Sequence, residues 1–405
     1  MMTKPMIRNN ICINCEPRGC EAALRQQIAY AKKTFAPEER GRGPRLALVV
    51  GGSTGYGLAS RVCAAFGYGA ATVSLSFEKA PSGTKCGTPG CYNNRAFDAA
   101  AAAEGLAAIT LDGDAFSDEA KALAAEALQE AAAKAGVPPV VDLFVYSLAS
   151  PVRRDPETGV LYRSVIKPTG ARFEGRTVDM MTGRISRAGV EPATEAELAD
   201  TVKVMGGADW ERWMAELARR GLLSPATRAL AYTYIGPALS WGIYRDGTIG
   251  RAKADLERAC AAINETYRGR IAGAWVSVNK AVVTRASAVI PIIPLYVSCL
   301  FKVMKARRLH EDCTAQIARL YRERLYTKEA ALDAANIATD AEGRIRLDDW
   351  EMREDVQKET LALMEAATDD NVFEKTDLAG FRQAFLEAHG FGVEGVDYRE
   401  ADEAL

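Results

Sequence analysis

The sequence predicts an α/β fold, a doubly wound parallel sheet with insertions and a mainly helical C-terminal part. Three observations carry that prediction. Short apolar runs alternate with helical segments as far as Ser150, the pattern of parallel βαβ units. The first run, RLALVV at Arg45 to Val50, ends directly on GGSTGYGLASRV, which reads as a buried strand, a glycine turn and the opening of a helix. After an interruption by short β-like pieces, the same alternation resumes near Ala229.

In chain order, Ala70 to Phe77 is the second strand candidate, Leu106 to Leu111 the third and Val140 to Ser147 the fourth. An alanine-rich helix from Asp118 to Ala135 precedes the last of these, and the alanine run at 99–103 also suits a helix, alanine being the best helix former. Beyond Pro151, VLYRSVIKP and FEGRTVDMMTGRIS read as small β elements of an insertion. Ala229 to Ile235 is again a strand. It is followed by a helix with Ala252, Leu256, Ala259, Cys260 and Ile263 at helical spacing, then by the strand Ala274 to Val278. Cys313 to Arg324, Arg353 to Ala366 and Leu378 to Ala388 read as helices, with the acidic residues of DDWEMREDVQKE on a solvated helix face. The expected organisation is one enlarged domain over 1–405. It comprises a first dinucleotide-binding half at 45–150, an insertion at 151–225, a second half with a pocket segment at 226–310 and a helical region at 311–405.

Composition excludes several function classes. The 51 Lys plus Arg balance 53 Asp plus Glu, so no global basic field points to nucleic acid. The longest apolar run, ASAVIPIIPLYVSCLF from Ala286 to Phe301, is short and broken by two prolines, which suits a buried helix or pocket wall and not a membrane span. No stretch near the N-terminus has the makings of a secretory signal, and nine scattered cysteines suit a reducing compartment, so a cytoplasmic protein is expected. Cys12, Cys15 and Cys20 lack a second Cys or His pair at metal-site spacing, so no metal is expected. With only His310 and His389 in the chain, a Ser/His or Cys/His nucleophile is disfavoured.

Gly51, Gly55 and Gly57 permit a tight turn and close backbone approach, while the following helix start offers unpaired N–H groups to a pyrophosphate. Glu78, just past the second strand, is placed to accept the adenosine ribose hydroxyls and to repel a 2′-phosphate, favouring NADH over NADPH. A surface Glu paired with Lys79 is the structural alternative.

Tyr244 and Lys253 form the other candidate pair, because a phenol can donate a proton while a neighbouring ammonium favours its ionised form. Nine positions along one helix would put them about 180° apart. Asp246, Gly247, Thr248 and Gly250 supply cap and turn residues at which the chain can bend, so that Tyr244 can fold back onto a helix carrying Lys253.

GGSTGYGLASR, SFEKA, LDGDAFSDE, VYSLASPVR, VKVMGGADWERW, YTYIGP, YRDGTIGRAK and VSVNKAVVTRASAVIPIIPLY together resemble the trans-2-enoyl-CoA reductases and the related V-type enoyl-acyl-carrier-protein reductases, up to about residue 395. That family is an enlarged, Rossmann-type relative of the short-chain dehydrogenases, marked by tyrosine, eight residues and lysine. The resemblance implies NADH-dependent reduction of trans-2-enoyl thioesters without flavin or metal. It also implies Tyr244 as proton donor, Lys253 as its cofactor-side partner and Tyr234 as a contact to the substrate carbonyl. Cofactor contacts carry over to Gly51, Gly52, Ser53, Thr54, Gly55 and Tyr56, to Phe77 and Glu78, to Asp114 and Ala115, to Leu148 and Ala149, and to Val282, Val283 and Thr284. The expected partners are enoyl-CoA or enoyl-acyl-carrier protein, taken by a monomer. Arg153, Arg154, Lys302, Lys305, Arg307 and Arg308 are candidates for docking an acidic carrier. A carbonyl reductase using the same Tyr and Lys, and a catalytically silent NAD(H)-binding regulator, are the competing readings.

Overall fold

The structure, a computed structural model, describes residues 4–8, 11–83, 85–284, 290 and 292–398. Its centre is a seven-stranded sheet, parallel throughout: β1 (Leu46–Val50), β2 (Ala71–Ser76), β3 (Ala108–Asp112), β4 (Leu143–Tyr146), β5 (Arg228–Thr233), β6 (Gly273–Val278) and β7 (Ile345–Arg346), in the spatial order β7-β6-β5-β4-β1-β2-β3. Because both faces are covered, the central strands read as unbroken apolar runs. Alternation along β1 shows how they are shared. Ala47 and Val49 face the layer made by α1 (Pro17–Thr34), α2 (Gly55–Val62) and α3 (Pro89–Ala103), whose core includes Leu24, Leu58 and Phe97. Leu46, Leu48 and Val50 face α4 (Asp118–Ala135) and, beyond the insertion's helix α5 (Glu195–Met205), α6 (Ala208–Arg219) and α7 (Thr248–Thr266), with Leu128, Trp213 and Ile263 in that core.

The strand order reverses between β1 and β4. From β1 the chain winds one way through β2 and β3, and from β4 the other way through β5 and β6, which leaves a crevice at the carboxyl ends of the strands. The third apolar core lies beside that crevice. It is built by α8 (Ile293–Ala306), α10 (Glu354–Ala366) and α11 (Leu378–Glu387), where Tyr296, Leu300, Val356, Phe381 and Phe385 are buried, while α9 (Cys313–Leu320) joins the first core through Ile317.

The proline-broken segment becomes α8 from Ile293 on, buried as expected, and the run before it falls partly outside the described residues. Among the described residues no helix is long and apolar enough to cross a membrane, and no cluster of three or more His, Cys, Asp or Glu could hold a metal. The helix expected over Cys313 to Arg324 ends at Leu320 and continues as a wider π turn over Tyr321–Leu325. Among the elements outside the sequence reading are β7, too short to have a period of its own, the N-terminal helix α1, and the helices α5 and α6, between which VKVMGGADWERW breaks at Gly206 and Gly207.

A buried ion pair ties the second face together. Lys121 Nζ lies 2.8 Å from Asp209 Oδ1, with the two side chains 2% and 1% exposed. Lys121 also donates to the Ala115 and Phe116 carbonyls at 3.0 Å, and Asp209 accepts from the Tyr146 hydroxyl at 3.2 Å. Removing one charge strands the other in the core, so Asp209→Ala is expected to cost about 3–5 kcal/mol in urea unfolding. The apolar double variant Lys121→Met with Asp209→Leu recovers most of that loss.

Candidate active site

The glycine turn owes its shape to missing side chains. Gly51 (φ +84°) and Gly55 (φ +54°) adopt left-handed conformations. A Cβ on Gly51 would overlap the Ser147 carbonyl, and one on Gly57 the Gly51 carbonyl. The turn therefore presses against the end of β4 and delivers the first turn of α2 to the crevice, where Thr54, Gly55 and Leu58 line a cavity of ≈ 430 Å³. Open backbone and a helix start facing such a cavity fit a pyrophosphate.

Glu78 is neither a loose surface group nor paired with Lys79. It accepts from the Ser53 hydroxyl at 2.6 Å and from the Thr88 hydroxyl, lies against Gly90 at the start of α3, and its own N–H donates to Asp112 Oδ1 at 2.9 Å. The carboxylate is thus fixed at the end of β2 beside the glycine turn, with the Phe77 ring next to it 74% exposed. Asp114 is exposed and caps its own loop through the Phe116 N–H at 3.0 Å. Ala115 is buried, and its carbonyl accepts from Lys121 and from Trp213 Nε1 at 3.2 Å.

A second cavity, ≈ 240 Å³ and mostly apolar in its lining, adjoins the first through Val282 and Thr284. It brings together Tyr56, Leu148, Ala149, Tyr234, Tyr244 and Lys253. The predicted bend is present: Asp246 N–H closes a turn on the Trp241 carbonyl at 2.8 Å, and α7 begins at Thr248. Lys253 occupies the second turn of α7 and donates to the Tyr232 carbonyl at 3.0 Å. Burial lowers its pKa from 10.5 to about 8. Tyr244 packs edge-on against Tyr234, with ring centroids 5.0 Å apart, and burial followed by the Glu351 charge raises its pKa to about 12. No hydrogen bond joins the Tyr244 and Lys253 side chains; they share a cavity instead. Tyr56 turns its hydroxyl to Gln316 Oε1 (2.6 Å) and the Lys280 carbonyl (3.1 Å). Val283 lines only the larger cavity.

One expectation is overturned outright. In DDWEMREDVQKE the solvated helix α10 begins only at Glu354, and Asp348 and Glu351 before it are 1% and 0% exposed. Glu351 Oε1 accepts from Tyr234 at 2.9 Å and from Tyr296 at 2.7 Å, and Oε2 accepts from the Ala281 N–H at 2.6 Å. The spacing of acidic residues gave no hint of this, because the partners come from β5, α8 and the loop after β6.

The candidate docking cations are mostly engaged within the chain. Arg153 is buried and donates to the Lys203 carbonyl at 2.8 Å, while Arg154 donates to the Gly159 carbonyl at 2.7 Å. Lys305 pairs with Asp377, Arg307 with Asp355 and Glu359, and Lys302 donates to the Glu374 carbonyl. Among the described residues, Arg308 alone of the six has no side-chain polar partner.

Comparison with known proteins accords with this geometry. Family models described as the catalytic region of trans-2-enoyl-CoA reductase and its NAD(P)H binding domain match residues 85–326 and 2–83. The trans-2-enoyl-CoA reductase [NADH] of Treponema denticola is 54% identical over 98% of this chain and 98% of its own. The enoyl-[acyl-carrier-protein] reductase [NADH] of Chromohalobacter salexigens is 47% identical over 99% of this chain and 97% of its own. The crystal structure of the Treponema denticola reductase in complex with NAD covers 99% of this chain and 98% of that one with a TM-score of 0.93 at 54% identity. That of the Clostridium acetobutulicum trans-2-enoyl-CoA reductase in complex with NADH covers 99% and 97% with a TM-score of 0.92 at 40% identity.

A further model, described as an enoyl reductase FAD binding domain, matches residues 339–402. The described part of that segment does not fit a flavin dinucleotide. Its apolar side chains, Val356, Val372, Leu378, Phe381 and Phe385 among them, are consumed in packing against α8, and it lends the larger cavity only Ala384, Glu387 and Ala388.

Because Glu78 is held by Ser53 and Thr88, Glu78→Gln removes the charge while keeping the hydrogen bonds. The ratio of kcat/KM for NADH to that for NADPH is expected to fall at least about tenfold, since like-charge juxtaposition costs several kcal/mol. Steady-state kinetics with both cofactors check this.

Proposed function

The chain belongs to the trans-2-enoyl-CoA reductase family, and on that premise we propose that it reduces the C2=C3 bond of trans-2-enoyl thioesters with NADH. The observation that carries the proposal is the cavity in which two tyrosines and a buried lysine meet beside the glycine turn. In this reading 45–150 is the cofactor half, 226–310 holds the reacting groups, and 151–225 and 311–405 wall them in.

Gly51, Gly52, Ser53, Thr54, Gly55 and Tyr56 would hold the cofactor's pyrophosphate, Phe77, Glu78, Asp114 and Ala115 its adenosine, and Leu148, Ala149, Lys253, Val282, Val283 and Thr284 its nicotinamide end. Bound NADH supplies the hydride that goes to C3. The chain's task is to receive the charge this puts on the thioester oxygen and to protonate C2. Tyr234, at the carboxyl end of β5, faces the substrate oxygen. Tyr244, with its pKa near 12, is fully protonated at neutral pH and gives the proton. Leaving a phenolate in so dry a place is costly, and the Lys253 ammonium in the same cavity offsets that cost.

CoA is the carrier this reading favours over acyl-carrier protein. The support is resemblance: the chain is 54% identical to the trans-2-enoyl-CoA reductase of Treponema denticola and 47% identical to the enoyl-[acyl-carrier-protein] reductase of Chromohalobacter salexigens. None of the nine cysteines is in a disulfide, which suits the cytoplasm.

Purified protein should oxidise NADH, followed by absorbance, when crotonyl-CoA is added. Absence of turnover with any enoyl thioester would sink the proposal. Tyr244→Phe is expected to lower kcat by about 10²-fold or more with NADH affinity nearly unchanged, the scale of general acid catalysis. Lys253 carries its charge below about pH 8 and loses it above, so wild-type kcat should fall as pH rises through about 8. Lys253→Met should be slow throughout and lack that limb.

A further inference from the structure

Glu351 is a carboxyl group with no contact to water, placed behind one of the two tyrosines that meet the substrate. Its hydrogen-bond inventory is nearly closed. The Ala281 N–H occupies Oε2. Gln357 donates to the Tyr296 oxygen at 3.0 Å and to the Glu351 carbonyl at 2.7 Å, so Tyr296 has its single hydrogen left for Oε1. Tyr234 donates to the same Oε1 at 2.9 Å while the carboxyl is ionised, and this is the one bond that reverses when Oε1 carries a proton.

The direction matters for chemistry. A phenol has one hydrogen, and if it is given to an ionised Glu351, none is left for the substrate oxygen. If the carboxyl carries a proton on Oε1 instead, it donates to the Tyr234 oxygen, and the Tyr234 hydrogen is free to turn into the cavity. We propose that Glu351 is a positioning residue for the reduction, a buried acid whose proton, donated to Tyr234, aims the Tyr234 hydroxyl at the substrate oxygen. No bond of the substrate is made or broken by Glu351, and its proton is not consumed. The inference rests on the reading that Tyr234 faces the thioester oxygen.

The groups facing Glu351 pull in both directions. Burial raises its pKa, and the phenols Tyr56, Tyr234, Tyr244 and Tyr296 surround it. The hydrogen bonds from Tyr296, the Ala281 N–H and Tyr234 oppose burial by favouring the ionised carboxylate, and so does Lys280, whose Nζ donates to the Ala281 and Glu311 carbonyls at 2.8 and 3.0 Å. The protonated, active form therefore exists on the acid side of the Glu351 titration, and activity is lost as pH rises through it.

The test uses the full chain with NADH and crotonyl-CoA. Glu351→Gln keeps a carbonyl for the Ala281 N–H and presents one amide N–H to Tyr234, the same direction the protonated acid imposes, while the Tyr296 hydroxyl, which an amide nitrogen cannot accept from, turns to accept the other N–H. Its kcat is expected within about threefold of wild type, while the part of the alkaline decline due to Glu351 disappears and only the Lys253 limb near pH 8 remains. Glu351→Ala is expected to lose about 10²-fold in kcat, the scale for one donor at a developing oxyanion, with NADH affinity by fluorescence unchanged. Tyr234→Phe, which keeps the packing, should lack the same limb as Glu351→Gln, and it serves if Glu351→Ala does not fold. Glu351→Gln as slow as Glu351→Ala, a Glu351→Gln profile superimposable on wild type, or the limb persisting in Tyr234→Phe overturns the inference while crotonyl-CoA turnover by wild type stands. A wild type inert towards every enoyl thioester overturns the functional reading first and this one with it.

Discussion

The structure depends on one steric constraint, the passage of a backbone turn through the gap between the carboxyl ends of β1 and β4. There is no room in that gap for a Cβ at Gly51 or Gly57, because the Ser147 and Gly51 carbonyls occupy the space. With glycine there, α2 can start at the crevice and aim its unpaired N–H groups into it. The reversal of strand order at the same point parts the flanking connections, so the opening is a product of topology as well as of the turn.

Dryness governs the chemistry of the second cavity. Burial lowers the Lys253 pKa to about 8, raises that of Tyr244 to about 12 and raises those of Tyr234 and Glu351. In water these groups would all sit at their ordinary values; burial brings Lys253 towards neutrality and keeps the two phenols protonated well above it. The C-terminal helices supply the dryness. Their apolar residues pack on α8, and the turn before α10 inserts Glu351 beside the tyrosines. That region walls the cavity that holds Tyr234 and Tyr244, a different role from flavin binding.

Much of this was legible in the sequence. Apolar runs alternating with helical spacing identify six of the seven strands, because a parallel sheet covered on both faces demands unbroken hydrophobic segments. The glycine spacing marks the turn, since only a residue without a side chain fits there. The Tyr244 to Lys253 spacing, with its intervening cap and turn residues, announces a bend that returns the phenol to the helix start. These are local requirements, and local sequence can state them.

What the sequence could not decide depends on encounters between distant segments. Glu351 reads as one acid among many until β5, the loop after β6 and α8 converge on it from more than fifty residues away in each case. Arg153 reads as a docking cation until packing buries it against the Lys203 carbonyl. The two residues of β7 have no period from which a strand could be inferred, and β6 recruits them only because its edge has backbone groups left to satisfy. Sequence alone determined which segments are apolar, which turns need glycine and which functional residues recur at family spacing. Tertiary structure alone decided which charges are buried and whose hydrogen bonds they complete, because burial and partnership are properties of neighbours that chain order does not record.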